Sequence, residues 1–379
     1  MSRQFVAAAA LCALVGVTAA GQTKPRARDL GIPFEGTPGA MNAITDVAGV
    51  EVGMTTLIAG EAVRTGVTAV LPRGKASADP VFAGWFPLNG NGEMTGTAWI
   101  DEAGFLEGPV LITNTHSVGV VRDAYIQWAV KHGKLFQPWA LPVVAETYDG
   151  TLNDINGFHV KPEHVFAALD GAVTGRVAEG NVGGGTGMIC YGFKCGTGTS
   201  SRRVADGAGG YTVGVLVQAN HGGRSQLRIA GVPVGARLSR EAGNQDGLEL
   251  EEPPSKSIII VIATDAPLLP HQLKRLARRA SLGLARTGSI ASNGSGDIFI
   301  AFSTANAGAA SAAPTFEASM LSNRRITALF DATVQATEEA IINALIAGET
   351  MTGTGGTTVT ALSHERVKDI LGAYGYPRK

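Results

Sequence analysis

One apolar run, Ser257 to Thr264, constrains the fold of this 379-residue chain more than any other stretch. The run is rich in β-branched residues and apolar at consecutive positions, a pattern typical of a strand buried on both faces. A helix is predicted to begin at Pro270, since proline is tolerated in the first helical turn. A second strand is predicted from Asp297 to Ser303, and a long helical segment at 326–347. Strands paired with amphipathic helices predict a layered α/β or α+β domain.

A polar segment, Arg240 to Lys256, comes directly before this run. It holds four Glu and the pair Pro253-Pro254 but no apolar stretch, which predicts an exposed, mobile linker. Strong strands are predicted on both sides of it, from Tyr211 to Ala219 and from Ser257 onward. The linker is therefore expected to lie inside one domain.

Ser257 stands where the linker meets the strand. A serine hydroxyl is a weak nucleophile at neutral pH and needs a base. If the chain is cut after Lys256, the new α-amine of Ser257, with a pKa of about 7.7–8.0, is a suitable base. The cut itself requires the Ser257 hydroxyl to attack the Lys256 carbonyl and give an ester, which water then opens. The residues alone leave two interpretations open: an ordinary serine at the start of a strand, which is the commoner case, and a self-released nucleophile.

Further polar side chains lie at the ends of other predicted strands. Glu146 follows one strand, and its carboxylate suits a substrate ammonium group. Tyr148 nearby, or Asn220 at the end of another strand, can donate to a developing oxyanion. Ser295 and Asp297 form a Ser-x-Asp pair at the mouth of a third strand, which suits the orientation of an amine or a hydroxyl. Each site is also explained, and more commonly, as an ordinary polar turn or cap.

The net charge and the absence of several motifs argue against some classes of function. The formal net charge of -1 gives no support for a nucleic-acid surface or a membrane patch. The seven histidines form no HExxH or similar ligand pair, so no metal is expected. The glycine-rich Asn181 to Gly187 lacks the lysine and the spacing of a phosphate-binding P-loop. There is no G-x-S-x-G elbow, although His116 and His221 remain candidates for a conventional Ser-His pair.

Residues 1–20 have the pattern of an export signal, with a positively charged start, an apolar stretch over 6–17 and small residues before Gly21. The apolar stretch is too short to span a bilayer, so a soluble protein exported to the periplasm is predicted. Cys190 and Cys195 are the cysteines that remain after the signal is removed. An oxidising compartment permits a disulfide between them, but two buried thiols fit the sequence as well.

Several long motifs, in one order along the chain, give this sequence its resemblance to a known family. It resembles the L-aminopeptidase/D-esterase (DmpA-type) family, which includes the bacterial β-peptidyl aminopeptidases. The motifs are Arg26–Gly31, Asn42–Val47, Val144–Thr147, Gly180–Gly187, Val217–Gly222, Ala263–Pro267, Pro270–Leu273 and Ser295–Asp297.

The resemblance implies an α+β fold, a four-layer αββα sandwich like that of N-terminal-nucleophile hydrolases but with different connectivity. It implies one inactive chain that cuts itself into a large subunit, residues 21–256, and a small subunit, residues 257–379. It also implies a homotetramer of these cleaved heterodimers and no cofactor. The expected substrate is a peptide, amide or ester with a free N-terminal amine.

The same resemblance assigns roles by position. Ser257 matches the nucleophile, and Lys256 precedes the autocleavage site. Ser295 and Asp297 match a pair that hydrogen-bonds around the nucleophile, and Asn220 matches the oxyanion donor. Two further positions match substrate-side groups: Glu146, the acid that holds the substrate amine, and Tyr148, an active-site tyrosine.

The sequence departs from parts of the family at two points. Relatives often have Gly or Asn where Lys256 stands, which bears on the rate of the cut more than on its chemistry. Dedicated β-peptide enzymes tend to have Glu in place of Asp297 and an aliphatic residue in place of Tyr148. The sequence thus favours a broad serine aminopeptidase with amidase and esterase activity. The alternatives are a dedicated β-peptidyl aminopeptidase and a non-enzymatic periplasmic binding protein on the same fold.

Overall fold

The computed structural model describes residues 24–241 and 256–377. Within these ranges the chain forms seven α-helices and fourteen strands. The helices are α1 (Thr97–Ala103), α2 (Val118–Lys131), α3 (Pro162–Asp170), α4 (Val234–Glu241), α5 (Pro270–Arg286), α6 (Thr327–Ile346) and α7 (His364–Ala373). The strands are β1 (Glu51–Ala59), β2 (Val63–Leu71), β3 (Val81–Pro87), β4 (Phe105–Leu106), β5 (Val110–Asn114), β6 (Val143–Thr147), β7 (Ile189–Cys190), β8 (Phe193–Lys194), β9 (Thr197–Arg203), β10 (Thr212–Asn220), β11 (Lys256–Thr264), β12 (Ser295–Ser303), β13 (Met351–Thr352) and β14 (Thr358–Val359).

A six-stranded sheet in the order β4-β3-β12-β11-β10-β9 contains the predicted central strand, β11. β11 runs parallel to β12 and antiparallel to β10. All nine of its residues are buried, as the unbroken apolar run predicts. The strand begins at Lys256, one residue before the predicted start, because Lys256 already pairs with Ser295 of β12.

Side chains of β11 alternate between two cores. Ile258, Ile260 and Ile262 pack in the cluster that includes the apolar faces of α5 and α6. Ile259 and Val261 pack in a second cluster, shared with the other large sheet. This two-residue period is that of a strand, and each fully buried Ile stabilises the fold by about 1.5–3 kcal/mol.

The second large sheet has the order β1-β2-β5-β6 and faces the first sheet across the shared cluster. Helices α2 and α3 cover its outer side. The layers therefore follow one another as helix, sheet, sheet and helix, which confirms the predicted αββα sandwich. β5 and β6 are parallel, so their carboxyl ends meet at one edge of this sheet.

The predicted elements agree with the structure to within a few residues. The helix predicted from Pro270 is α5, and the long helical segment is α6. β12 begins at Ser295, two residues before the predicted Asp297, because its pairing with β11 continues to that point.

Cys190 and Cys195 form a disulfide, which answers a question that the sequence leaves open. The bond closes a short hairpin made of β7 and β8. Its two turn residues, Tyr191 and Gly192, have φ angles of 53° and 68°. Positive φ at both central residues is what a two-residue type I′ turn requires.

The predicted export signal and residues 242–255 of the predicted linker lie outside the described residues. The strands on the two sides of that linker, β10 and β11, are direct neighbours, with Asn220 opposite Ser257. The segments before and after Ser257 therefore contribute to one sheet. None of the helices in the described ranges is both long and apolar enough to cross a membrane.

Candidate active site

Ser257 and Asn220 lie opposite each other at the ends of β11 and β10. Ile259 and Leu216 point toward the second sheet, and alternation along each strand gives Ser257 and Asn220 the same direction. Directly opposed side chains of an antiparallel pair have Cβ atoms about 4.5–5.5 Å apart. Both residues are buried, with exposures of 1% for Ser257 and 5% for Asn220. A hydroxyl and a carboxamide are thus neighbours in an environment with little water.

Gly296 of β12 contacts Ser257 from the other side. It is the register partner of Ser257, and its backbone N–H donates to Ser257 Oγ at 3.1 Å. A Cβ at position 296 would lie 2.5 Å from the Asn91 carbonyl oxygen and 2.7 Å from Gly92 Cα. Only glycine therefore allows the segment around Gly92 to come this close to the strand that holds Ser257.

Glu146 is the last residue but one of β6, inside the strand rather than just past it as predicted. The reason is that the β5–β6 pairing continues to Thr147. The Glu93 N–H donates to Glu146 Oε1 at 3.0 Å, and the Thr115 hydroxyl donates to Oε2. Burial raises the pKa of Glu146, whereas the hydrogen bonds from Thr115 and Glu93 lower it. These two donors favour the ionised carboxylate, the form that binds an ammonium group.

Gly92 connects the carboxylate with the strand that holds the serine. A Cβ at Gly92 would lie 3.1 Å from Gly296 Cα and 3.2 Å from Glu146 Oε1. Glu146 and Ser257 therefore flank the same pair of glycines. The arrangement brings together a carboxylate for a cation, a hydroxyl for attack on a carbonyl and a carboxamide for a developing negative charge.

Ser295 and Asp297 form the expected pair, but on the other face of the sheet. The Ser295 hydroxyl donates to Asp297 Oδ1 at 2.7 Å, and the Asp297 N–H donates to Asn89 Oδ1 at 2.7 Å. Both side chains share a face with Phe299, which packs on the helix side. Burial raises the pKa of Asp297 to about 6, while the Ser295 hydroxyl and the Ile258 backbone lower it.

This pair borders the backbone of the candidate nucleophile rather than its hydroxyl. Ser295 is the register partner of Lys256, and Asp297 is that of Ile258. In the part of the chain that the structure describes, no hydrogen bond joins Ser257 Oγ to either side chain. The two polar groups therefore lie beside the residues that precede and follow Ser257, on the face of the sheet opposite to its hydroxyl.

Tyr148 lies one residue past β6 and is half-buried. Its hydroxyl packs against Gly150, where a Cβ would lie 2.4 Å from Tyr148 Oη. Within the described residues this hydroxyl makes no hydrogen bond, so none joins Tyr148 to Ser257 there.

Neither histidine candidate is hydrogen-bonded to Ser257 in the part of the chain that the structure describes. Burial lowers the pKa of His221 to about 3, and neither of its ring nitrogens has a hydrogen-bond partner there. His116 is exposed and stacks against Phe158. Across residues 24–241 and 256–377, no group of three or more His, Cys, Asp or Glu side chains is arranged to hold a metal ion.

Sequence reasoning missed three residues that support the site: Thr115, Glu93 and Asn89. Thr115 follows β5 directly, and β5 is the parallel neighbour of the strand that carries Glu146. The meeting of their carboxyl ends was a usable signal for that contact. Glu93 contributes a backbone N–H, and Asn89 contributes a side-chain contact from a distant loop. Neither contact can be predicted from a single sequence.

Comparison with known protein families and sequences gives consistent results. A sequence model described as peptidase family S58 matches residues 42–359. The β-peptidyl aminopeptidase BapA of Sphingosinicella microcystinivorans is 56% identical over 373 residues, 94% of each chain. BapA of Sphingosinicella xenopeptidilytica is 50% identical over 375 residues, 94% of this chain and 92% of the relative.

Solved structures with the same fold include two bacterial enzymes, each with a TM-score of 0.85. One is a β-aminopeptidase of Burkholderia sp., 51% identical over 93% of this chain and 100% of its own. The other is an L-aminopeptidase D-Ala-esterase/amidase from Ochrobactrum anthropi, described as a prototype for the serine aminopeptidases and a new variant among the Ntn hydrolase fold. It is 50% identical over 93% of this chain and 99% of its own.

Proposed function

Because the chain belongs to peptidase family S58 and is an aminopeptidase of that family, we propose that it cuts itself between Lys256 and Ser257 and then uses Ser257 as its nucleophile. The observation that carries this proposal is the buried contact group of Ser257, Asn220 and Gly296. It supplies a nucleophile and a carboxamide donor on one face of one sheet.

In the proposed self-cleavage, Ser257 Oγ attacks the carbonyl carbon of Lys256. The C–N bond of that peptide breaks, the serine nitrogen takes a proton, and an ester to Oγ remains. Water then hydrolyses the ester, which leaves a carboxylate on Lys256 and a free α-amine on Ser257. The placement of Lys256 within the paired part of β11 supports this step, because the scissile peptide is held beside fixed donors.

In the proposed catalytic cycle, Glu146 binds the free ammonium of the substrate through a charge-assisted contact. Ser257 Oγ attacks the first amide or ester carbonyl, and the carboxamide of Asn220 donates to the oxyanion, with Tyr148 as a second candidate donor. The leaving amine or alcohol takes the proton from Oγ and departs, leaving an acyl-enzyme. Water then releases the amino acid and restores the serine.

The proposed general base is the α-amine of Ser257, oriented by Ser295 and Asp297. Lys256 is buried and is the register partner of Ser295. Once the bond between Lys256 and Ser257 is cut, the space that Lys256 occupies beside Ser295 becomes available to the new amine of Ser257. The Ser295–Asp297 pair then offers a hydroxyl and a carboxylate to orient it.

Intact-mass measurement of the purified protein and of Ser257→Ala tests the proposal directly. We expect the wild type as two chains that end at Lys256 and begin at Ser257, and the variant as one uncut chain. The variant should lose at least about 10⁴-fold in kcat, because removal of an activated serine has effects of that order. A wild-type protein that stays in one piece while cleaving aminoacyl nitroanilides would contradict the proposal.

A second candidate function is a preference for β-peptides. It is favoured by the names of the Sphingosinicella and Burkholderia relatives, whereas Asp297 and Tyr148 favour the broader activity. Rates on β-alanine amide and L-alanine amide distinguish the two. A kcat/KM higher for the β-alanine compound by about tenfold or more, equivalent to about 1.4 kcal/mol, would support the specialised function.

We also propose export to the periplasm after removal of residues 1–20, and assembly as a homotetramer of cleaved heterodimers. The intact mass of the large chain, cell fractionation and light scattering of the purified enzyme test these points. A large chain that retains its first residues, or a monomeric heterodimer in solution, would contradict the respective proposal.

A further inference from the structure

On the side away from β11, the last residues of β10 pair with a different segment from the rest of that strand. The β9–β10 pairing runs from Thr212 to Gln218 and ends there. Beyond that point, the loop 188–196 supplies the partners. The Ala219 N–H donates to the Gly196 carbonyl at 2.9 Å, and the Tyr191 N–H donates to the His221 carbonyl at 2.8 Å.

The same loop also binds the side chain of Asn220. The Ile189 N–H donates to Asn220 Oδ1 at 2.8 Å. A carboxamide has one accepting end and one donating end, and an N–H can be satisfied only by the oxygen. The contact with Ile189 therefore fixes which end of the Asn220 side chain is Nδ2, and in which direction that donor lies.

A disulfide and a buried lysine stabilise the conformation of this loop. The Cys190–Cys195 disulfide closes it across the β7–β8 hairpin. Inside the loop, the fully buried Lys194 donates from Nζ to the Met188 carbonyl at 2.9 Å and to the Cys195 carbonyl at 2.6 Å. The hairpin strands have two residues each, so backbone pairing alone gives this loop little rigidity.

We propose that the Cys190–Cys195 disulfide is a positioning element for catalysis, which holds the Ile189 N–H against Asn220 and so aims the carboxamide at the oxyanion. This rests on the proposed function in one respect, the role of Asn220 as the oxyanion donor. Without the bond, the loop gains conformational freedom, and the contact from Ile189 that helps to orient the Asn220 side chain is weakened. Misplacement of a catalytic group by about 1 Å can lower a rate by about a hundredfold.

The first experiment compares wild type with Cys190→Ser/Cys195→Ser, with rates expressed per cleaved chain as counted by intact mass. We expect kcat to fall about tenfold to a hundredfold, which is less than the loss of about 10²–10³ from deleting a donor. KM should change by less than about threefold, because ground-state binding to Glu146 is untouched. Thr358→Ala, at an exposed position of the hairpin β13–β14, is a control that should leave kcat unchanged.

A double-mutant cycle separates positioning from general weakening of the fold. If the disulfide acts through Asn220, adding Cys190→Ser/Cys195→Ser to Asn220→Ala should cause no further loss of kcat. Losses that multiply would overturn the proposal. A disulfide-free enzyme with wild-type kcat beside a slow Asn220→Ala would also overturn it, while leaving the proposed function intact. An Asn220→Ala enzyme as fast as wild type would instead remove the oxyanion assignment in the proposed function.

Reduction of the mature wild-type enzyme covers the case in which the serine variants fail to fold or to cut themselves. A phosphine reductant is raised until alkylation and mass measurement show two free thiols per large chain. We expect kcat to fall in proportion to the reduced fraction and to recover after reoxidation. Complete reduction with unchanged kcat would overturn the proposal.

Discussion

The two strands that border Ser257 place different groups near it. On the β10 side, the neighbouring side chain is an uncharged carboxamide, Asn220, whose oxygen is held by the disulfide-closed loop. On the β12 side, Ser295 and Asp297 flank Gly296 on the opposite face of the sheet, beside Lys256 and Ile258, and burial raises the pKa of Asp297 to about 6. The β10 side thus presents a fixed, uncharged carboxamide, whereas the β12 side carries a carboxyl group whose pKa is close to neutral pH.

This difference matches two separate needs of acyl transfer. An oxyanion is stabilised by a dipole that is already aimed before the charge develops. Proton transfer instead needs a group whose charge changes near the working pH. A serine between one neighbour of each kind can have both needs met without a histidine. Variants on each strand therefore test whether the two strands divide these tasks.

The largest effect is expected on the β10 side. Asn220→Ala should lower kcat by about 10²–10³, with little change in KM, because an oxyanion donor acts mainly in the transition state. Asn220→Asp is the matched variant, since it keeps an oxygen for Ile189 but has no donor. A kcat of Asn220→Asp close to wild type would show that Asn220 serves packing only.

Glu146→Gln tests the substrate side of the site, which neither strand provides. We expect KM for free-amine substrates to rise by about tenfold to a hundredfold, since a charge-assisted contact contributes about 1.5–3 kcal/mol. Self-cleavage involves no substrate amine and should persist. Glu93→Gln, which keeps the backbone N–H to Glu146, is the control. Equal loss of self-cleavage and substrate turnover in Glu146→Gln would assign this residue a structural role.

Asp297→Asn tests the β12 side through the pH dependence of kcat/KM. A raised pKa means that Asp297 gains its charge only above about pH 6. If the ionised form orients the amine, the wild-type rate falls as pH drops through that value, below the fall that follows protonation of the amine at about 7.7–8.0. The variant should be slower by about tenfold or less at alkaline pH, within the range of acid–base effects. Its pH profile of kcat/KM should also lack the step near pH 6. A profile identical to that of the wild type would show that Asp297 takes no part in proton transfer.

The smallest effect is expected from His116→Ala. The side chain is exposed and stacks on Phe158, so kcat/KM should stay within about twofold of wild type, in keeping with substitutions of exposed side chains. Nitroanilide kinetics provide the measurement. A loss of about a hundredfold or more, the size of a general-base effect, would support a Ser-His mechanism. It would contradict the view that β10 and β12 supply all that Ser257 needs.

Local pattern was enough to predict the framework of the fold. The unbroken apolar run of β11 and the proline at the start of α5 each depend on nearby residues only. The groups that end strands, Asn220 and Glu146, were identifiable for the same reason. Even so, Glu146 lies within β6 because the pairing partner decides where a strand ends.

Contacts between distant segments could not be derived in this way. The predicted pair Ser295 and Asp297 is present, but its face of the sheet depends on the register with β11. The disulfide depends on a tight turn at Tyr191, where a non-glycine residue adopts a positive φ. The contact between Ile189 and Asn220 depends on where β9 stops pairing. Each of these is set by tertiary geometry, which no single stretch of sequence encodes.

The order of strands in the larger sheet has a consequence for the lifetime of the enzyme. β11 and β12 lie in its middle, between β10 and β3, so the proposed cut leaves two polypeptides whose strands interleave. Denaturation then becomes dissociation, and recovery of the native state becomes a second-order encounter that dilution suppresses. The mature enzyme would persist for as long as its unfolding barrier allows and, once lost, would be replaced by new synthesis rather than repaired.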